Sequence, residues 1–252
     1  MKPVLATAAD HGVLSQEELH SRIRQVGEER YHHRHPFHLM MHEGKLSRGQ
    51  LQAWALNRYY YQSRIPMKDA IILGRSEDPD FRRVWRKRVT DHDGDATREG
   101  GIERWIRLAE ASGLERARVI HCQEVLPGVR YAVDAYLDLV KNRSLLEAVA
   151  SSLTELFSRD LIALRMDRLR QHYPWLSGGL AYFEARLDQA PEDARFALQW
   201  VAEHAGTRAE QELAIGALRA KCEILWAQLD ALHFAYVQPG WPPPGAFRIQ
   251  ES

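Results

Sequence analysis

Apolar residues recur along most of the chain at the three- and four-residue spacing of α-helices. From Ser47 onward, for example, Leu51, Trp54 and Ala55 fall on one face of a helix. Stretches of alternating polarity rich in β-branched residues, which would predict strands, do not occur. The chain is therefore predicted to be all-α. Helices are predicted over residues 15–29, 47–65, 67–73, 79–93, 101–111, 116–125, 129–141, 144–172, 179–187, 191–205 and 207–237.

Polar residues, glycines and prolines mark the ends of these helices. Capping boxes are predicted at Ser15–Glu18, Ser47–Gln50 and Thr207–Glu210. Asp78 before Pro79 predicts another helix start, and Pro191 predicts a break. No linker, repeat or low-complexity segment divides the sequence. Residues 1–252 are therefore predicted to form one helical bundle, with extended or flexible arms at 1–14 and 239–252.

Five polar side chains occupy positions on these apolar helix faces where leucine is expected. Arg58 and Gln62 continue one face, Arg88 and His92 a second, and Lys221 a third. A buried charge without a partner costs several kcal/mol in order of magnitude. Three helices with this feature indicate an interior polar pocket that is rich in cations and suited to an anionic small molecule.

Composition places this pocket in an otherwise ordinary protein. Hydrophobic residues make up 45% of the 252, and the 34 basic side chains balance the 34 acidic ones. This balance argues against a nucleic-acid binder, which usually shows a basic excess. Cys122 and Cys222 have no paired spacing, which argues against a disulfide scaffold or a zinc site. No apolar run approaches a membrane span or a signal core, so a soluble, cytoplasmic protein without membrane contact is predicted.

Two histidine-rich segments are candidates for acid–base chemistry, because histidine titrates near neutral pH. Residues 31–38 read Tyr-His-His-Arg-His-Pro-Phe-His, followed by His42, and are predicted to be a loop. His92 ends the helix over 79–93, beside Asp91 and Asp93. The alternatives are a solvated loop in the first case and a helix-capping histidine in the second.

Two further groups are candidates for the pocket. Tyr182 and Arg186 lie one helical turn apart on a predicted short helix, which could move as a lid over a bound molecule. The alternative is a surface pair. Glu155, Ile162 and Arg165 share a face of the long helix over 144–172. An inward Glu155 would either balance the cations or act as a base.

Two sequence pairs are compatible with an iron site. Glu29 and His32, and likewise Asp230 and His233, place a carboxylate and an imidazole one turn apart, as di-iron helical bundles require. A complete site needs two more carboxylates, of which only Glu155 is available. Coincidence is the favoured interpretation, so no metal site is predicted.

Eight segments of the chain together resemble the pyrroloquinoline quinone synthase family, whose members have a heme-oxygenase-like all-α fold. The segments are 31–32, 57–62, 65–69, 91–94, 126–130, 151–157, 171–175 and 225–231. They extend over almost the whole chain. The resemblance implies that the protein closes a ring and oxidises a bicyclic, multiply carboxylated precursor to pyrroloquinoline quinone (PQQ). By this resemblance the reaction uses O2 as co-substrate, releases H2O2, and needs neither metal nor organic cofactor. The resemblance also implies that the protein is a homodimer.

The resemblance also assigns roles to the candidate residues. His92 would be the general base and proton shuttle, while Tyr182 and Arg186 would close over the substrate and help hold oxygen or peroxide. The other predicted catalytic residues are Glu155 and His32. The predicted substrate-binding residues are Tyr31, Arg58, Gln62, Lys68, Arg88, Tyr136, Arg165 and Lys221.

One position departs from the family pattern. Some members have a histidine of the oxygen-handling group where this chain has Ile162. Two other function classes also remain open. One is a heme-oxygenase-like di-iron oxygenase, and the other is a carrier that binds PQQ without converting it.

Overall fold

Helices make up most of the described part of the chain, residues 12–250 of a computed structural model. Twelve α-helices occur there: α1 Gln16–Arg30, α2 Pro36–His42, α3 Arg48–Gln62, α4 Ile65–Arg75, α5 Pro79–Asp93, α6 Gly101–Ala111, α7 Arg116–His121, α8 Pro127–Asn142, α9 Leu145–Ala150, α10 Ser158–His172, α11 Ala181–His204 and α12 Arg208–Tyr236. Three 3₁₀ segments join them: His32–Arg34, Ser151–Phe157 and Pro174–Gly179. Within this range no strand forms, apart from one bridge between Gly94 and Glu99. The all-α prediction is confirmed.

The predicted helix starts are confirmed by their side-chain hydrogen bonds. The Ser15 hydroxyl accepts from the backbone N–H of Glu18, whose carboxylate accepts from the Ser15 N–H. The same reciprocal pattern occurs at the two other predicted boxes and also at Ser144. A cap of this kind stabilises a helix by about 1 kcal/mol.

The segment after Tyr31 is more ordered than the predicted loop. Helix α2 begins directly after His35, whose Nδ1 accepts from the Phe37 N–H at 3.1 Å. The opposite ring nitrogen, Nε2, lies 3.0 Å from Oδ1 of Asp230 on α12. His35 thus takes over the capping role that a serine or aspartate usually has. The prediction missed α2 because this cap is a histidine.

The predicted single helix over 144–172 is wrong. The structure has α9, the 3₁₀ turn over Ser151–Phe157, and then α10. The hydroxyl of Ser151 donates to the Ala148 carbonyl, and that of Ser158 donates to the Glu155 carbonyl. Such side-chain bonds compete with the i to i−4 pattern and bend helices. The turn places Thr154 and Glu155 in the interior wall described below.

The predicted break at Pro191 is also wrong, because Pro191 lies inside α11, a continuous helix of 24 residues. Proline removes one backbone donor from the helix, which usually kinks rather than ends a well-packed helix. Ala190, Ala194 and Ala197 are buried on either side of it, so packing keeps the helix continuous. Tyr182 and Arg186 therefore belong to a long packed helix and not to a short independent one.

The longest helix, α12, packs against α1, α8, α9 and the 3₁₀ turn over Ser151–Phe157. Trp54, Trp85 and Trp105 are among the largest fully buried side chains of the core. None of the helices in the described range is long and apolar enough to cross a bilayer. The C-terminal arm over 239–250 is extended and is anchored at Phe247, which is buried and whose N–H donates to the Glu124 carbonyl, whereas Trp241 is exposed. The predicted N-terminal arm falls mostly on residues 1–11, which lie outside the described residues.

Candidate active site

A single interior cavity brings together most of the predicted site residues. It encloses about 700 Å³ of atom-free space, including the part that opens to solvent. Its walls come from the segment after α1, from α3, α4, α5, α6, α10, α11 and α12, and from the 3₁₀ turn at 151–157. Nine predicted residues line it: Tyr31, His32, Arg58, Gln62, His92, Glu155, Arg165, Tyr182 and Arg186.

The other four predicted residues, Lys68, Arg88, Tyr136 and Lys221, are buried behind this wall and do not line the cavity. Each is at most 3% exposed. In this structure each of them reaches the cavity only through a neighbouring side chain. Direct binding of a substrate by these four residues therefore stays a prediction.

One side of the site is a network of buried ion pairs. Asp69 is fully buried and accepts from Lys68 Nζ at 2.6 Å and from Arg88 Nε at 3.2 Å. Arg88 Nη2 continues the network to Glu155 Oε1 at 2.7 Å. Burial alone would raise the pKa of Asp69, but Lys68 and Arg88 together hold it below its ordinary value. The network fixes Glu155 at the cavity wall, where it balances the cations.

The same network extends to α11. Arg186 lies 3.4 Å from Glu155 Oε1 and 3.3 Å from Asp193 Oδ2, and Asp193 also lies 3.7 Å from Arg88. Asp69 and Asp193 were not among the predicted site residues. Asp69 stood in one of the family-like segments, next to Lys68. Asp193 gave no signal, because the predicted break at Pro191 separated it from Arg186.

The other side of the site holds basic side chains without carboxylate partners. Among residues 12–250, no aspartate or glutamate pairs with Arg58, Arg165 or Lys221. Arg58 lies over the ring of Tyr61, with 4.0 Å from its Cζ to the ring centroid. Arg165 contacts the ring nitrogens of His38 at 3.2 Å. Burial, and then the nearby Arg58, lower the pKa of Arg165 to about 10.

His92 is held in a defined orientation at the end of α5. Its Nδ1 lies 3.0 Å from the Arg88 carbonyl, so Nδ1–H donates there and Nε2 keeps its lone pair. The helix ends at Gly94, whose φ of 82° requires glycine. Burial, and then the Arg186 guanidinium, lower the pKa of His92 to about 4. At neutral pH the ring is therefore neutral and able to accept a proton.

Tyr182 connects α11 to α3 across the cavity. Its hydroxyl donates to Gln62 Oε1 at 2.9 Å, and both side chains are buried. The ring packs edge-on against Trp105 of α6, with centroids 5.0 Å apart. This arrangement positions the phenol beside the cavity without an external partner.

The histidines near the start of the chain are mostly buried and neutral. His32 lines the cavity, and its ring lies 4.8 Å from that of His38, which lies 6.1 Å from His42. Burial lowers the pKa of all three, assisted by Arg58 at His32 and by Arg165 at His38 and His42. For His42 the pKa falls to about 4.

These depressed pKa values predict acid sensitivity. In the unfolded chain, histidine side chains bind protons near pH 6.5. In the folded protein, His42 and His92 bind them only near pH 4. The free energy of unfolding should therefore be highest above about pH 6.5 and should fall as the pH drops toward 4. Urea denaturation across this range would measure the slope. A His42→Gln protein should show a shallower slope, and an identical slope would contradict the assignment.

The candidate iron ligands do not come together. Glu29 is exposed and accepts from Gln25, Asp230 pairs with His35, and Glu155 pairs with arginines. His32 lines the cavity, whereas His233 lies near the ring of His35. Within residues 12–250, no three histidine, cysteine, aspartate or glutamate side chains converge in a geometry that could hold a metal ion.

Several cavity-lining residues were missing from the predicted site. Among the apolar ones are Trp105, Leu161, Phe183 and Leu225, and Ile162 also lines the wall. Apolar lining residues cannot be told from core residues by periodicity alone. Tyr61 also lines the cavity and could have been predicted. It precedes Gln62 on the helix face where Arg58 and Gln62 interrupt the apolar pattern.

The chain is similar over most of its length to a known protein family. The model of the TENA/THI-4/PQQC family matches residues 20–231. The chain is 56% identical to the pyrroloquinoline-quinone synthase of Acidiphilium cryptum, covering 93% of this chain and 96% of that protein. It is 54% identical to the enzyme of that name from Xanthomonas oryzae pv. oryzae, covering 93% and 94%. A Shewanella denitrificans protein with a heme oxygenase-like fold superposes with a TM-score of 0.75 at 11% identity, covering 94% of this chain and 99% of that one. The predicted heme-oxygenase-like fold is thereby confirmed.

Proposed function

The chain belongs to the TENA/THI-4/PQQC family, and we propose that it acts as a pyrroloquinoline-quinone synthase. In this proposal it closes the last ring of a bicyclic, multiply carboxylated precursor and oxidises it to PQQ. O2 accepts the electrons and leaves as H2O2, and neither a metal nor an organic cofactor takes part. The relatives named pyrroloquinoline-quinone synthase match over nearly the whole chain. The match therefore includes every segment that lines the cavity.

The observation that carries this proposal is the imbalance of charge at the cavity. Five cationic side chains in and behind the wall face three carboxylates. The cations are Arg58, Lys68, Arg88, Arg165 and Arg186, and the carboxylates are Asp69, Glu155 and Asp193. The unpaired cations lie on one side, around Arg58 and Arg165. A substrate with several carboxylates supplies the missing negative charge there.

The remaining groups fit the proton transfers of the reaction. His92 enters the cavity as a neutral imidazole with a free Nε2, so it can take a proton from the substrate as electrons leave for oxygen. Arg186 lies beside it on α11 and provides N–H donors for oxygen or peroxide, and the Tyr182 hydroxyl, whose proton is donated to Gln62, can accept a hydrogen bond from peroxide. On α10, Ile162 lines the cavity with an apolar side chain at the position where some family members have histidine.

Conversion of the precursor in air is the direct test of the function. Purified protein mixed with stoichiometric precursor should generate the absorbance of PQQ within a single turnover and release H2O2. A carrier would bind PQQ in an absorbance titration but leave the precursor unchanged. That result would contradict the proposed function.

The clamp can be tested by removing one unpaired cation. An Arg58→Ala protein should bind PQQ about ten- to hundredfold more weakly, because a charge-assisted hydrogen bond contributes roughly 1.5–3 kcal/mol. Arg64→Ala is a matched control, since Arg64 follows the same helix but does not line the cavity. Equal affinity of the two folded variants would refute the clamp.

Chelation tests the metal-free mechanism against the di-iron alternative. We expect turnover to continue after exhaustive dialysis against a chelator, because the proposed steps use only side chains and O2. Turnover that disappears on chelation and returns with iron alone would support the di-iron oxygenase. The homodimer and the cytoplasmic location also stay predictions, the first testable by sedimentation.

A further inference from the structure

Lys221 is in an unusual position for a residue expected to bind the substrate. It is 1% exposed and lies behind the cavity wall. Its Nζ is 2.8 Å from the hydroxyl of Tyr61, which does line the cavity. The ring of Tyr136 lies below it, with the centroid 3.4 Å from Nζ. Lys221 therefore reaches the cavity through the phenol of Tyr61.

The surroundings of Lys221 disfavour its charged form. Burying an ammonium costs more free energy than a cation–π contact returns. No carboxylate within residues 12–250 pairs with it to offset the difference. Burial, and then Arg58, lower the pKa of Lys221 well below its ordinary value. The titratable and charged groups that face it are Arg58 and Tyr61 of α3, Lys68 of α4, Tyr136 of α8, Glu155 of the 3₁₀ turn and the adjacent Cys222.

We propose that Tyr61 and Lys221 form a proton-accepting pair for the reaction, in which Tyr61 contacts the substrate and Lys221 stores the proton. An N–H bond of the precursor breaks, and its electron pair stays on nitrogen. The proton moves to Tyr61 Oη while the Tyr61 hydroxyl proton moves to the Lys221 amine. No electron is transferred in this step. Tyr61 is thus a catalytic residue, and Lys221 acts through it.

Substrate binding strengthens this pair. Carboxylates that bind beside Arg58 compensate the positive field that helps burial to lower the pKa of Lys221. The amine then becomes a stronger base once the substrate is in place. The pair also complements His92, because Tyr61 comes from α3 and His92 from α5. Two acceptors on different walls suit a reaction that releases several protons.

The first test concerns the amine itself and needs no substrate. Nitrogen-15 NMR of the six lysine side chains in the ligand-free protein should show one Nζ signal that titrates well below the others. That signal should be absent from the Lys221→Met protein. A Lys221 signal that titrates together with exposed Lys45 would overturn the proposal.

The second test rests on the proposed function and uses precursor oxidation. Tyr61→Phe and Lys221→Met should each slow the reaction at least about tenfold, while PQQ affinity of Tyr61→Phe stays near normal. Tyr59→Phe is the control, because Tyr59 lies on the same helix but outside the cavity. The rate of the unmodified protein should fall at low pH as Lys221 is protonated, and Lys221→Met should lack this limb. An active unmodified protein with equally active Tyr61→Phe would overturn the pair, whereas an inactive unmodified protein would contradict the proposed function.

Discussion

Replacement of His92 by asparagine should slow oxidation of the precursor by about 10²- to 10⁴-fold, the usual contribution of a positioned acid–base group. Asparagine keeps the size of the side chain but cannot accept a proton at neutral pH. PQQ should still bind with near-normal affinity, since the cations of the clamp are unchanged. Stopped-flow absorbance under air would measure the rate, and titration with PQQ would measure the affinity.

His204 provides a matched control for this substitution. Its Nδ1 also hydrogen-bonds to a carbonyl four residues earlier, that of Trp200 at 2.8 Å, but the residue is exposed and outside the cavity. His204→Asn should therefore leave the rate unchanged. A His92→Asn protein as fast as this control would mean that His92 only caps its helix. In the unmodified protein, the contribution of His92 should disappear as the pH falls through about 4.

Replacement of Asp69 by alanine should cause the largest loss of stability. Asp69 is fully buried and is the partner of both Lys68 and Arg88. Its removal leaves the buried Lys68 without a carboxylate and leaves Arg88 with one ion-pair partner fewer, which costs about 3–5 kcal/mol. For a chain of this size the melting temperature should fall by roughly 10 °C. Calorimetry or thermal circular dichroism would measure the change.

An exposed pair shows what the same substitution costs without burial. Asp80 and Arg83 form an ion pair on the surface of α5, with side chains 75% and 65% exposed. Asp80→Ala should lower stability by less than about 1 kcal/mol. If Asp69→Ala were no more destabilising than Asp80→Ala, the buried network would not hold this side of the cavity together.

The sequence predicted those parts of the fold and site that depend on local patterns. The helix starts at Ser15, Ser47, Asp78 and Thr207 follow from cap chemistry, and each occurs in the structure. The polar interruptions of apolar faces also located the pocket. Of the five polar residues on these faces, Arg58 is half-buried. The other four are buried, namely Gln62, Arg88, His92 and Lys221.

The parts that were missed depend on contacts distant in sequence. His35 could be recognised as a helix cap only with Asp230 in place, 195 residues later. Continuity through Pro191 depends on the packing of α11, which outweighs the local preference of proline. The distinction between Arg165 in the wall and Lys221 behind it likewise has no local signal, because both occupy inward positions on their helices.

The unpaired cations of the cavity have a consequence for the end of the catalytic cycle. In the proposed reaction precursor and product both carry several carboxylates, so a clamp built on Arg58 and Arg165 would hold them with similar strength. Such uniform binding does not favour departure of the product, and release rather than chemistry can then limit turnover. The enzyme would accumulate as its own product complex whenever PQQ is not drawn away. Output would follow the demand of downstream quinone acceptors as well as the supply of precursor.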